Sequence, residues 1–493
     1  MNRSNNTSAS TYDCIVIGAG MAGLAFAVMA TARGKRVLVV EQHYLPGGNF
    51  TAFKLGNYLF NVAFEWTGPG EAMQGILEEL GVAAQYEFER IPEFKAIISP
   101  DLQDRLVIGS GRIDVETGLC KAFPEQQREI ARFLDDCVTV TSGSAGTNAI
   151  VMRSGLKSVE AMLASYFKNP LLVHVLYSLI GVPGSKGVLL MYIVGAICTH
   201  QMWRPRHRDH RRLPSLLHQM IVRQGGKVAF RKTVTSILTE AKQVCGLVTA
   251  DGAHYQADTI VATTDPVQLY SRLVKIGEMP PQVSDQVERT PGLSCFCVFL
   301  GLDRKSQELG IRHDNISLLE DNEQWQRFPE ELRYSPLRVE VQSLHHEGLA
   351  PPGHASLCVW AALPISAYNF WGQGHECDVD QIDAASYAAA KAAAAEIVLT
   401  RLERAFPGIR ACIAVCATAT PFTFKRYTMS REGSVCGHSL ANIAYLKTLP
   451  NTTHVQNLYH IGHWTTQSGI ASAMQSGINL HRLLASRAWY APA

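Results

Sequence analysis

The sequence has no apolar run of the ~18–20 residues that a bilayer-spanning helix needs. Its most apolar stretch, Gly187 to Cys198, reads as a short core helix, with a membrane-dipping face as the alternative. Residues 1–11 are Ser/Asn/Thr-rich without an apolar run, so a disordered tail and no secretory signal are expected. The 12 cysteines contain no C-x-x-C pair, which predicts reduced thiols in a cytoplasmic protein. Neither charge is in excess: 45 Lys and Arg face 43 Asp and Glu, for a net charge of +2. That balance argues against a nucleic-acid partner or an acidic one. There is no P-loop, no Ser-His-Asp set, no internal repeat and no low-complexity linker. His207 and His210 have H-x-x-H spacing inside WRPRHRDHRR, but the surrounding arginines repel a cation, so no metal site is expected.

What is present begins with Tyr12 to Gly48. Asp13-Cys-Ile-Val-Ile17 reads as a buried parallel strand. Gly18-Ala-Gly20-Met-Ala-Gly23 matches G-x-G-x-x-G, and Leu24 to Arg33 is a helix ended by Gly34. Arg36 to Val40 is a second strand, closed by Glu41. Each residue has a physical task in a dinucleotide site. Gly18 permits the tight turn, Gly20 lets a pyrophosphate approach, and Gly23 lets the helix pack on the strand. The helix N-terminus holds the phosphates with its free N–H groups and its dipole. Glu41 accepts from an adenosine ribose. No second G-x-G-x-x-G appears, so no dedicated nicotinamide site is visible.

Further along, Thr51–Leu55 and Tyr58–Ala63 flank Gly56-Asn57 as a hairpin, and Gly70 to Leu80 is helical. Tyr86 to Ile113 reads as a small antiparallel sheet. Pro124 to Cys137 and Ser158 to Val182 carry helical patterns. The Arg-rich run at 203–212 is a solvated strip or an anion site. Leu213 to Gly225 is a helix; strands follow at 227–237, 244–249, 254–257 and 259–263. Ser294–Leu300 is a strand with Cys295 and Cys297 on one face. Ala355–Leu363 is a strand, Asp383–Phe406 a strong helix and Ala411–Ala417 a strand. Thr420–Gly437 is loop-rich, Asn457–Ile461 a last strand and Gly469–Ser486 a final helix.

QHYLPGGNF (42–50), with Gly47-Gly48 soon after the ribose acid, resembles the FAD-binding flavoproteins of the amine oxidase and phytoene desaturase superfamily. GGKVAFRKTVTSI followed by DTIVATTDP resembles the middle block of carotenoid desaturases, carotenoid isomerases and retinol saturases. SCFCVFLGLD, ATPFTFKRYTMSREGSVCG and NLYHIGHWTTQSGIASAMQSG are similar to later blocks of the same family. The resemblance implies an α/β fold: a doubly wound Rossmann-like FAD-binding domain with an interleaved α+β substrate domain and an apolar tunnel between them. It divides the chain into 12–90, 213–275 and 445–490 for FAD, and 91–212 and 276–444 for substrate. It implies cofactor contacts from Gly18, Gly20, Met21, Ala22, Gly23, Glu41, Gln42, Gly47, Gly48, Asn49, Val234, Thr264, Gly462, Gly469 and Ile470. The helix start at Gly469 would favour negative charge on the flavin. Where the family has Phe-Asp-x-Gly, this chain has Phe60-Asn61-Val62-Ala63. Where an acid often follows the last motif's glycine, it has His463-Trp464-Thr465.

The expected activity is FAD-dependent desaturation, saturation or cis-trans isomerisation at C–C or C=C bonds of a long apolar substrate: a polyene, isoprenoid or unsaturated acyl compound. An amine or amino-acid oxidase is the alternative. The candidate catalytic residues are His463, Trp464 and Glu65; the candidate substrate residues are Tyr192, Arg204 and Tyr427. The electron partner is not legible. Location is cytoplasmic, with peripheral membrane contact left open by the apolar substrate.

Overall fold

The computed structural model describes residues 10–180, 182, 184–274, 279–281, 283–284, 293–327, 331–346, 348–363, 383–437, 448–466, 468–487 and 489. Five short strands form a parallel sheet: β1 (Cys14–Ile17), β2 (Val37–Val40), β3 (Lys227–Ala229), β4 (Ile260–Ala262) and β5 (Leu458–His460). Their spatial order is β3-β2-β1-β4-β5, that of a doubly wound nucleotide-binding sheet. Both faces of the central strands are buried, which is why they read as unbroken apolar runs.

One face carries α1 (Met21–Ala32), α2 (Arg212–Arg223) and α3 (Ile470–Ser486). Cys14, Val16, Val37 and Val39 point into that layer. The helices pack closely because small residues meet: a Cβ on Gly477 would lie 2.3 Å from the Ala22 carbonyl oxygen. Ile15, Ile17, Leu38 and Val40 point to the other face. A four-stranded sheet covers it, in the order Ser10–Tyr12, His254–Ala257, Gln243–Thr249, Val234–Glu240. Ser10 and Thr11 therefore do not belong to a disordered tail: Ser10–Tyr12 pairs in parallel with Tyr255–Ala257. Residues 1–9 of that expected tail lie outside the described residues, as do the expected boundaries at 275/276 and 444/445.

The second body is a seven-stranded sheet in the order Ile413–Ala419, Ser294–Leu302, Ala355–Leu363, Leu337–Val341, Asn315–Leu318, Glu93–Ile98, Leu106–Gly109. Glu93–Ile98 pairs antiparallel with Leu106–Gly109, and through its parallel pairing with Asn315–Leu318 the two strands are the edge of this larger sheet and not a separate small one. Phe88–Arg90 instead pairs with Trp203–Pro205. Gly187–Cys198 is a helix buried in the apolar cluster beside this sheet. Among the described residues no helix is long and apolar enough to cross a membrane. The expected helix at 158–182 is two, Val159–Tyr166 and Pro170–Tyr177. Pro170 cannot continue the first, and Asn169 Oδ1 caps the second by accepting from Leu171 N at 3.0 Å. The stretch 420–437 contains a helix, Pro421–Thr428, started by a reciprocal Thr420–Thr423 capping box.

Candidate active site

The parallel strands end at one edge of their sheet, and a cavity of about 700 Å³ opens there and runs to the wall of the seven-stranded sheet. This is the place where open α/β sheets bind ligands. The turn after β1 forms its floor. Gly18 has φ +101°, and a Cβ on it would lie 2.2 Å from Thr263 Oγ1. A Cβ on Gly23 would lie 2.2 Å from the Gly18 carbonyl oxygen. Gly23 is thus a packing residue and does not line the cavity. Gly20 differs: beyond its own chain neighbours, a Cβ there would have no protein atom within 4 Å. The 47–48 loop lies against this turn, with Gly47 N donating to the Ala19 carbonyl at 2.8 Å.

Glu41 lines the cavity and accepts from Ala19 N (2.7 Å) and His43 N (2.8 Å). Burial raises its pKa above the ordinary carboxylate range. Gln42, Asn49 and Val234 lie on the same wall. The hydroxyls of Thr51 and Thr264, two further wall residues, are buried without a hydrogen-bond partner among the described residues. Gly462 and the start of α3, Gly469 and Ile470, close the far side. His463 and Trp464 stand on this wall too. Burial pushes the His463 imidazole down to about 4, so it is neutral at neutral pH.

Beyond these residues the cavity becomes an aromatic and apolar chamber, with Phe53, Phe64, Trp66, Phe299, Trp360 and Phe424 on its walls. Phe64 and Trp66 are stacked 5.9 Å apart, and Phe64 meets Trp360 at 5.2 Å. Tyr427 lies at an exposed rim with Tyr44.

Sequence reading missed most of this chamber. Phe299 and Trp360 come from strands that pair only across long loops. The signal available was the cysteine-bearing face of 294–300, which does point inward: Cys295 lines the cavity.

Three candidate residues are elsewhere. Tyr192 does not line the cavity; its carbonyl accepts from Thr141 Oγ1 on a neighbouring helix. Arg204 is not free for substrate, because it pairs with Glu89 at 2.7 Å and with Asp314. Glu65 is neither a surface group nor at the cavity. It is 7% exposed, accepts from Asn61 Nδ2 at 2.7 Å, and lies 3.5 Å from both Arg208 and His210. Burial alone would raise its pKa, but His210, Arg208 and Asn61 together hold it below the ordinary value. It is therefore a fixed anion and unsuited to proton exchange. Asn61, where the family has Asp, is explained here. Its amide donates to Glu65 and to the Arg208 carbonyl (2.5 Å), and a carboxylate there would oppose Glu65.

The model of the family "Flavin containing amine oxidoreductase" matches residues 21–480. Prolycopene isomerase 2 of an Oncidium hybrid cultivar is 24% identical over 97% of this chain and 84% of its own. The all-trans-retinol 13,14-reductase of Danio rerio is 24% identical over 96% of this chain and 86% of its own. Among solved structures, an oxidoreductase from Methanosarcina mazei has a TM-score of 0.67 at 17% identity, covering 95% of this chain and 99% of its own.

Proposed function

The chain belongs to the flavin containing amine oxidoreductase family and its cofactor is FAD; from that premise we propose that it acts on C–C or C=C bonds of a long apolar molecule, such as a polyene, isoprenoid or unsaturated acyl compound, by desaturation, saturation or isomerisation. The carrying observation is the continuity of one cavity from the glycine turn to the aromatic chamber. The curated relatives named above, a polyene isomerase and a retinoid reductase, support the same substrate class.

The cavity fits the cofactor. The open space over Gly20, the carboxylate of Glu41 and the unpartnered hydroxyls of Thr51 and Thr264 are what a pyrophosphate, a ribose and a polar ring edge would use. Met21 and Ala22 open α1, and the N–H groups of that first turn would hold the phosphates. Gln42, Gly47, Gly48, Asn49, Val234, Gly462, Gly469 and Ile470 complete the cradle. Bound FAD supplies hydride or electron exchange at a carbon. The protein's own share is to hold the substrate and keep water out. Phe53, Phe64, Phe299 and Trp360 orient an apolar chain and exclude water from the chamber. His463 and Trp464 stand where the cradle meets the chamber, and His463, being neutral, adds no charge there. Tyr427 is at the rim through which substrate would enter.

One feature disfavours an amine substrate. The Arg338 guanidinium lies 4.5 Å from the Phe64 ring and 5.8 Å from the Trp66 ring. Those rings already face a buried cation, so they offer an ammonium little further cation–π attraction.

The test is to incubate oxidised and chemically reduced enzyme separately with polyenes and unsaturated acyl compounds under anaerobic conditions. Product mass and double-bond geometry are then measured. The proposal expects a new mass or a new geometry in one of the two states. Amine turnover with peroxide release, and no change in any polyene, would move the assignment to the oxidase class.

A further inference from the structure

Behind the aromatic wall lies a second cavity of about 10 Å³, room for roughly one water molecule. Glu65, Trp66, Asn315 and Glu340 line it, beside the Arg208–Asp314 ion pair. Four buried atoms of those residues have no hydrogen bond to a described group: Trp66 Nε1, Asn315 Oδ1, Glu340 Oε1 and Glu65 Oε2, the last with Arg208 and His210 at ion-pair distance, 3.5 Å. Their companion atoms are committed. Asn315 Nδ2 donates to the Phe94 carbonyl at 2.9 Å. Glu65 Oε1 accepts from Asn61, and Glu340 Oε2 accepts from Trp360 Nε1 at 3.2 Å.

The donor count agrees with a protonated Glu340. A buried water accepts up to two hydrogen bonds and donates two. Trp66 is a donor; the Asn315 oxygen and the Glu65 carboxylate are acceptors. The set closes when Glu340 Oε1 carries a proton and donates the fourth bond. We propose that Glu340 is a neutral carboxylic acid sharing one buried water with Glu65, and that this arrangement positions the Trp66 and Trp360 indoles on the chamber wall.

The electrostatics agree. Glu340 is fully buried, and burial with the Glu65 charge pushes its pKa up to about 8. Arg338 and Lys95 oppose the rise, and the thiols of Cys297 and Cys358 also face it. Burial and Arg338 push the Lys95 pKa well below that of a free lysine, and both groups have other commitments: Lys95 Nζ donates to the Ser178 and Leu179 carbonyls at 3.2 Å, and Arg338 donates to the Ile180 carbonyl at 3.1 Å. Glu340 is thus a positioning residue. It acts through two indoles and touches neither cofactor nor substrate. The inference concerns the wall and holds for any substrate class.

The experiment compares the FAD-loaded wild type with Glu340→Gln and Glu340→Leu. Infrared difference spectra between wild type and Glu340→Gln should show the carbonyl band of a protonated carboxyl below about pH 8 and lose it above. Thermal unfolding adds a second reading. A carboxyl raised in the folded state keeps a proton that the unfolded chain has released, so stability falls as pH rises from 4.5 to about 8. Glu340→Gln, whose amide can still donate to the water and accept from Trp360, should therefore gain on wild type across that window. Glu340→Leu, which can do neither, should alter the tryptophan emission and raise KM more than it lowers kcat. A difference spectrum without the band, or a melting-temperature gap that does not change with pH, would overturn the proposal. Both of those readouts survive even if the leucine variant fails to fold.

Discussion

At the scale of single residues, three glycines of one motif have three different reasons to be glycine. Gly18 needs its positive φ, and Gly23 needs its missing Cβ against the Gly18 carbonyl. Gly20 needs neither: its φ is −69° and the space where a side chain would go is open. Only a ligand requires glycine there. Gly20→Val should therefore lose FAD while keeping the melting curve of the wild-type apoprotein, and Gly23→Val should destabilise the fold itself. Flavin absorbance and circular dichroism on the same samples separate the two; a yellow Gly20→Val protein would contradict the cradle. The motif was legible because each reason is local in sequence. Glu65 and Arg204 were not legible. Glu65 meets Arg208 and His210, and Arg204 meets Asp314, more than a hundred residues away in chain. A one-dimensional pattern carries no record of such partners.

At the scale of elements, apolar strands and amphipathic helices were readable, and the charged run at 203–212 was not. The run is divided between buried and exposed arginines. Trp203–Pro205 pairs with Phe88–Arg90 and turns Arg204 toward Asp314. Arg208 is 3% exposed and joins Glu65 and Asp314, while Arg206 is exposed and pairs with Glu87. Removing one member of a buried ion pair strands the other charge, at roughly 3–5 kcal/mol. An exposed pair contributes about 0–1 kcal/mol. Arg208→Gln should accordingly lower unfolding stability by several-fold more than Arg206→Gln does, as measured by chemical denaturation. Equal effects would mean that the run is a uniform surface after all. The helix Pro421–Thr428 was missed for a different reason. Its signal is a capping box of four residues, which is easily taken for a turn.

At the scale of the whole molecule, five strands drawn from three distant stretches make one sheet, and the resemblance, more than any local pattern, indicated that interleaving. The same assembly creates groups whose charge state depends on burial, and these shape stability against pH. His174 is fully buried and stacked on Trp325 at 4.0 Å with an interplanar angle of 2°. Neither ring nitrogen has a hydrogen-bond partner among the described residues. Burial, and then the nearby Arg401, push its pKa down from 6.5 to about 3. Between those values the unfolded chain binds a proton that the folded chain refuses. Stability from this group is therefore complete above 6.5 and is lost as pH falls toward 3. The slope is at most one proton, about 1.4 kcal/mol per pH unit. Glu340 acts with the opposite sign, taking stability away as pH rises from 4.5 to about 8. His174→Phe keeps an aromatic ring against Trp325 and removes the titrating group. Its acid limb should be shallower than that of wild type by up to one proton, with the alkaline limb unchanged. Stability measured by denaturant at a series of pH values gives both slopes. An acid limb of unaltered steepness would mean that other groups, His463 among them, carry the whole acid sensitivity.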